Sequence, residues 1–256
     1  MKTLLKRAVP LLSLLFWILV WLLLALLLNK PLLLPTPMAV AKKLFVLAGE
    51  GDFWLTVVFS LLRIAAGIIS ALILGTLLAL LTVRFSLFHH LFAPPLEILK
   101  TTPVAAVIFL LLLFMGRDTV PLFIAFAMAL PIVWSNVREG LLSLDPALFE
   151  MAAVFRVPTK RRFSAIVLPS VLPYLLAACR AAFGLAFKAG VAAEVLAVPE
   201  RSLGRAIYES KLYLQTEELF AYTLTVVLLS VVIERLVRLL LPKKCPHKGE
   251  NGIWSN

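Results

Sequence analysis

The chain has 256 residues, 62% of them hydrophobic and only 15% charged, with a mean hydropathy of +1.00. A soluble domain is about 45–50% apolar and about 25% charged. A water-soluble core of this size cannot hold the excess, which excludes an ordinary cytosolic enzyme, a disordered chain and a secreted disulfide scaffold. The formal charge of +11 is read as setting membrane topology and anchoring to anionic lipid, with no nucleic acid as partner.

In chain order, the first apolar run is 8–28, 21 residues without a charge, long enough to cross a bilayer as a helix. It follows Lys2, Lys6 and Arg7. Its length and the lack of a small-x-small cleavage site after it predict a retained anchor rather than a signal peptide. An external segment follows, in which Pro35-Thr36-Pro37 opens a short interfacial helix to Ala48. The second span is 64–83, entered from an amphipathic stretch at 53–63. The third joins 91–99 to 103–115 and is interrupted at Pro94-Pro95 and Pro103. The fourth is 120–137, with Pro131 inside. The fifth is 170–198 and carries Arg180, Lys188 and Glu194; the sixth is 219–233, continuing into 239–241. Prolines inside spans are tolerated where neighbouring helices or water satisfy the freed carbonyls.

Six spans place both termini on one side. That side holds Lys2, Lys6, Arg7, Arg84, Lys100, Arg138, Arg156, Lys160, Arg161, Arg162, Arg235, Arg238, Lys243, Lys244 and Lys248, 15 cations. The other holds Lys30, Lys42, Lys43, Arg117, Arg201, Arg205 and Lys211, 7 cations. Cytoplasmic loops carry the excess, so both termini are expected inside. The resulting layout is a cytoplasmic N-terminus with the first span (1–30), an external interfacial segment (31–53), a five-helix core (54–241) and a cytoplasmic tail (242–256).

The loop 140–169 is the longest on the cytoplasmic side. Asp145 is a suitable N-cap with Pro146 at the first helical position, and Leu148, Met151, Ala152 and Phe155 share one face. Val157 before Pro158 breaks the helix, and Pro158 starts a second, so the loop reads as a helix–turn–helix below the membrane.

This loop also carries a spaced motif: Glu150-Met151-Ala152, three residues, Arg156, nine residues, then Ile166, Val167 and Leu168-Pro169. It resembles the cytoplasmic signature of bacterial binding-protein-dependent ABC importer permeases, Glu-Ala-Ala, three residues, Gly, nine residues, Ile, one residue, Leu-Pro. Met151 and Arg156 depart from it. The stretches around Pro35-Thr36-Pro37, Arg63 with Gly67 and Gly75, Thr102-Pro103-Val104-Ala105-Ala106, Gly184 with Ala193-Glu194, and Ser202-Leu203-Gly204 are also similar to that family. The likeness covers roughly 31–240 and is greatest to the branch importing nitrate, taurine, alkanesulfonates and some vitamin precursors.

The resemblance implies an all-α, six-span permease of the type I importer kind. It implies ATPase subunits docked on Glu150, Met151, Ala152, Arg156, Ile166, Leu168 and Pro169. It also implies an extracytoplasmic substrate-binding protein, a second permease copy and alternating access for a small anionic solute. Lys188, Glu194 and Arg180 are the candidate path residues; Lys188 either attracts an anionic solute in the path or ties the fifth span to backbone carbonyls or to a carboxylate elsewhere such as Glu97, the tie being the favoured reading. The family glycine turns the chain sharply between two coupling helices. Arg156 at that place means that the turn is built differently, or that a carboxylate on the ATPase offsets about 1 kcal/mol of strain.

No Gly-x-x-x-x-Gly-Lys-Ser/Thr run occurs, so any ATP site is expected on a separate chain. Neither a cofactor nor a metal is expected: His89-His90 point apart on a helix, and Cys179 and Cys245 stand 66 positions apart. The alternative is an ion-gradient-driven secondary transporter, for which Glu194 is the one clear intramembrane carboxylate.

Overall fold

The computed structural model describes residues 2–240, and among them every regular element is helical. The tail 242–256, with Cys245 and His247, lies outside the described residues. The helices are α1 (Lys2–Leu28), α2 (Pro37–Ala48), α3 (Gly51–Arg84), α4 (Ser86–Thr101), α5 (Val104–Leu112), α6 (Val120–Leu142), α7 (Pro146–Val154), α8 (Thr159–Arg162), α9 (Leu168–Ala197), α10 (Leu203–Leu212) and α11 (Thr216–Leu240).

Four rods are long and apolar enough to cross a membrane: Gly51–Arg84, Val120–Leu142, Thr159–Ala197 and Thr216–Leu239. Among the described residues the pair α4 and α5, bent by 106°, is apolar enough to count as a fifth if the two halves form one broken span, the other arrangement being a re-entrant loop. Pro103 causes the break. It has no N–H to donate, and it drives Thr102 before it into extended backbone, at φ −74° and ψ 133°. The first apolar run lies on α1, where the described apolar stretch is Leu12–Leu28.

Two expected boundaries move. The amphipathic stretch and the second span are one continuous helix of 34 residues, α3. At about 1.5 Å per residue it is far longer than a hydrocarbon core of about 30 Å. The second half of the loop 140–169 is not a separate helix either. From Thr159 it runs through one wide π-turn, Phe163–Val167, directly into α9. There the Leu168 amide bonds back to the Phe163 carbonyl. The wide turn lies just ahead of Pro169, whose ring would otherwise press on the preceding turn, so the rod continues past a residue with no N–H.

The chain divides into two compact units. One takes in residues up to Ile64, Ala105–Pro121 and Gly190–Leu229. Its core is Val40, Leu47, Phe53, Val57, Leu203 and Ala221, with Trp21, Leu44, Phe220 and Tyr222 packed against them. Thr36 caps α2, accepting from the Ala39 amide at 3.3 Å. The Trp21 indole donates to the Pro35 carbonyl at 3.1 Å and stacks on Phe220 at 5.9 Å. Lys43 pairs with Glu218 at 3.4 Å. Thus α2 does more than float on a leaflet. It buries Val40 and Leu47 in this core, while Met38 and Phe45 stay exposed.

The other unit takes in Ala65–Val104, Leu122–Ala189 and the residues from Ser230 on. Small residues let its helices approach closely. A Cβ on Gly67 would lie 2.3 Å from the Leu122 carbonyl oxygen, and one on Gly140 would lie 2.8 Å from the Tyr174 ring. Ile68, Ala71, Ala79, Ile124, Ala125, Ala129 and Val133 are fully buried there. The Trp134 indole donates to the Thr82 hydroxyl at 3.0 Å, pinning α6 to α3.

Candidate functional site

Three places hold the residues that the sequence singles out. The first is a buried ionic knot on α9. Glu194 has 0% side-chain exposure. Its Oε1 accepts from the Arg63 guanidinium at 3.1 Å, and its Oε2 from the Ser60 hydroxyl at 2.8 Å and the Gly204 amide at 3.2 Å. Arg63 reaches on to Asp118 Oδ1 at 3.4 Å and to the Glu200 carbonyl at 3.2 Å. The Glu200 amide donates to Asp118 at 3.1 Å, and the Leu203 amide to the Ser60 hydroxyl at 2.8 Å.

Glu194, a candidate path residue by sequence, is buried among its partners. Its carboxylate is enclosed, and each oxygen is spent on donors from α3 and the start of α10. A buried carboxylate survives in an apolar surround only with such complete pairing. Gly204 is required, because a Cβ there would sit 2.3 Å from the Glu194 Cβ. The connection between α9 and α10 is tight, with Val198 at φ 51° and Arg201 at φ 45°, and Ser202 caps α10 by accepting from the Arg205 amide at 3.1 Å.

The second place is the face of α9 that carries Lys188. Ala181, Leu185, Lys188, Ala192 and Leu196 are all exposed and fall in one stripe at helical spacing. Among the described residues, no hydrogen bond or ion pair satisfies Lys188. Glu97, a conceivable partner, is held instead by Lys100 at 2.9 Å. A Cβ on Gly184, one turn before Lys188, would meet nothing within 4 Å. Arg180 lies apart from Lys188, in a cavity of about 390 Å³ shared with Phe183, Glu234 and Arg238.

The third place is the hairpin of α7 and α8. Asp145 caps α7, its carboxylate accepting from the Ala147 amide at 2.9 Å, with Pro146 in the first turn. Ala152 is buried at 2% exposure, whereas Glu150 is exposed. Met151, Val154, Phe155 and Phe163 are all more than half exposed. Exposed apolar side chains grouped on a short hairpin mark an interaction surface. Ile166 lies in the wide turn and is half-buried; Leu168 and Pro169 begin α9 and are exposed.

Arg156 has φ 50°, the left-handed conformation. Its amide bonds to the Ala153 carbonyl at 3.0 Å, and the Val157 amide to the Ala152 carbonyl at 2.9 Å. That is the Schellman ending usually built on glycine. So the turn is built as it would be with glycine, and Arg156 carries the strain. The Arg162 side chain donates to the Val157 carbonyl at 2.7 Å and braces the same turn.

Sequence reasoning found Arg63, Glu194, Lys188 and Arg156 as individuals. It missed Ser60 and Asp118 as partners, because contacts 134 positions apart for Ser60 with Glu194 and 55 for Asp118 with Arg63 leave no local signal. Among the described residues, no three His, Cys, Asp or Glu side chains stand together as metal ligands.

The sequence pattern of the family described as "Binding-protein-dependent transport system inner membrane component" matches residues 71–244. The chain is similar to the putative aliphatic sulfonates transport permease protein SsuC of Bacillus subtilis (strain 168), at 30% identity over 81% of this chain and 75% of the relative. It is similar to the taurine transport system permease protein TauC of Escherichia coli (strain K12), at 25% identity over 90% of this chain and 86% of the relative. It is also similar to the bicarbonate transport system permease protein CmpB of Synechococcus elongatus, at 29% identity over 57% of this chain and 53% of the relative.

Two substitutions test this geometry. Arg63→Met leaves the Glu194 carboxylate buried without its cation, a change that costs about 3–5 kcal/mol. Thermal unfolding of the detergent-purified chain is expected to show a large loss, and an unchanged midpoint would remove the knot as a structural element. Arg156→Gly relieves a left-handed non-glycine residue and is expected to stabilise the hairpin by about 1 kcal/mol. Slower proteolysis of the loop reads that gain, and faster proteolysis would show that the Arg156 side chain holds the turn.

Proposed function

The chain belongs to the family of binding-protein-dependent transport system inner membrane components, and from that premise we propose that it is the permease subunit of an ATP-driven importer for a small anionic solute. The observation that carries the anionic reading is Lys188. A charged side chain at the centre of a span costs at least about 2.5–3.5 kcal/mol unless it faces a polar interior or a partner. Lys188 is exposed on its helix, without an ion-pair partner among the described residues. A second copy of the chain facing this stripe would enclose two lysines in a common polar path, with Gly184, Ala181 and Ala192 allowing close approach. The relatives named for aliphatic sulfonates, taurine and bicarbonate support an anion as the solute.

In this proposal six spans cross the inner membrane with both termini inside, in keeping with the 15 cations against 7. ATPase subunits, supplied by another chain, seat on the hairpin through Glu150 and the exposed Met151, Val154 and Phe155, with the buried Ala152 packing α7 from behind. Their closure on ATP moves α7. The rod that starts at Thr159 and continues through Ile166, Leu168 and Pro169 carries that motion to α9 without a loop to absorb it. The spans then rock, and the path opens alternately to the two sides. An extracytoplasmic binding protein delivers the solute. A polar cleft of about 400 Å³, lined by Asp52, Glu200, Arg201, Arg205 and Glu209 among others, offers both signs of charge for its docking.

Lys188→Met keeps roughly the length and removes the charge. The assembled complex is expected to retain ATPase activity stimulated by the loaded binding protein, while solute uptake falls about tenfold or more, the loss of one charge-assisted contact. Failure of assembly would assign Lys188 a structural role, and unchanged uptake would exclude it from the path.

A further inference from the structure

The cations around Trp134 have no role in the function proposed above. Trp134 is 4% exposed, and its indole N–H is fixed on the Thr82 hydroxyl. Three nitrogen-bearing groups surround its ring. The Arg138 guanidinium lies 5.9 Å from the ring centroid, the Lys100 ammonium lies 5.9 Å from it, and the His89 ring stacks on it at 6.3 Å with 20° between planes.

An indole face attracts cations through its quadrupole without neutralising them. Arg138 therefore keeps its full charge, since no carboxylate pairs with it among the described residues. Lys100 gives one contact to Glu97 at 2.9 Å and has further N–H groups left. The decisive atoms are Arg138 Nε and His89 Nδ1, both buried with no hydrogen-bond partner. A guanidinium N–H is always a donor, and leaving one buried and unpaired is expensive. The same cluster thus has uncompensated positive charge, orphaned buried nitrogens and a rigid aromatic wall. Lys100, one-third exposed, opens it to the surface.

We propose that Arg138, Lys100 and His89, held around Trp134, form a binding site for a small oxyanion. An oxyanion accepts from the Arg138 guanidinium and the Lys100 ammonium together, and His89 completes it as a donor. Two sources share this chemistry, the transported solute and the phosphate of an anionic phospholipid. The solute assignment rests on the function proposed above; the site itself does not.

The test uses the full chain in phosphatidylcholine nanodiscs and sodium methanesulfonate as the probe, with sodium chloride at equal ionic strength as reference. The thermal midpoint is expected to rise with methanesulfonate. The apparent Kd is expected to weaken about tenfold or more in Arg138→Gln and much less in Arg138→Lys, which keeps the charge. No rise, or the same titration in an Arg138→Gln protein that unfolds normally in chloride, would overturn the site. Discs containing phosphatidylglycerol separate the sources. A raised midpoint without methanesulfonate, lost in Arg138→Gln, assigns the site to the lipid phosphate; an unaltered methanesulfonate titration assigns it to the solute. Uptake measured separately tells the two proposals apart. A chain that imports no anion yet titrates keeps the site and loses the solute.

Discussion

Inside a bilayer no water is at hand to satisfy a charge, so each intramembrane ionic group must find its match within the protein or face a polar space. Helix α9 carries both outcomes. Glu194 is matched completely, by Arg63, Ser60 and Gly204. Its burial in turn requires a residue without a Cβ at 204 and fixes where α10 starts. Lys188, six residues earlier, has no such match within the described chain, and its stripe is exposed. One helix is thus tied down at one end and presents an unpaid charge in its middle.

The rod that carries Lys188 begins outside the span. The wide turn before Pro169 joins the α7–α8 hairpin to α9 with no flexible linker. A push on α7 meets the Schellman turn at Arg156, braced by Arg162, and then a helix. Glycine contacts such as Gly67 on Leu122 and Gly140 on Tyr174 set α3, α6 and α9 close enough that small shifts displace neighbours.

Much of this was legible in the sequence, and for identifiable reasons. The long apolar helices follow from run length, the cap at Asp145-Pro146 from local chemistry, and the break at Pro103 from its missing N–H. The motif from Glu150 to Pro169 located the hairpin by spacing alone. What was not legible depends on distance in the chain. Nothing near Glu194 announces Ser60 or Arg63, and a lone membrane carboxylate reads equally as path or scaffold until its partners are seen. The continuity of α8 with α9 was hidden because Pro158 and Pro169 both look like helix breaks, and only a wide turn lets the rod pass the second. The role of Arg156 turned on a dihedral angle, which composition does not carry.

The central claim is that this chain forms an ATP-driven path for an anion. Its most direct test is uptake into proteoliposomes that contain the permease and its ATPase chain, with the binding protein supplied outside. The account predicts accumulation of a sulfonate, taurine or bicarbonate against its gradient, dependent on enclosed ATP and on the loaded binding protein. Uptake driven by an ion gradient in the absence of ATP would contradict it.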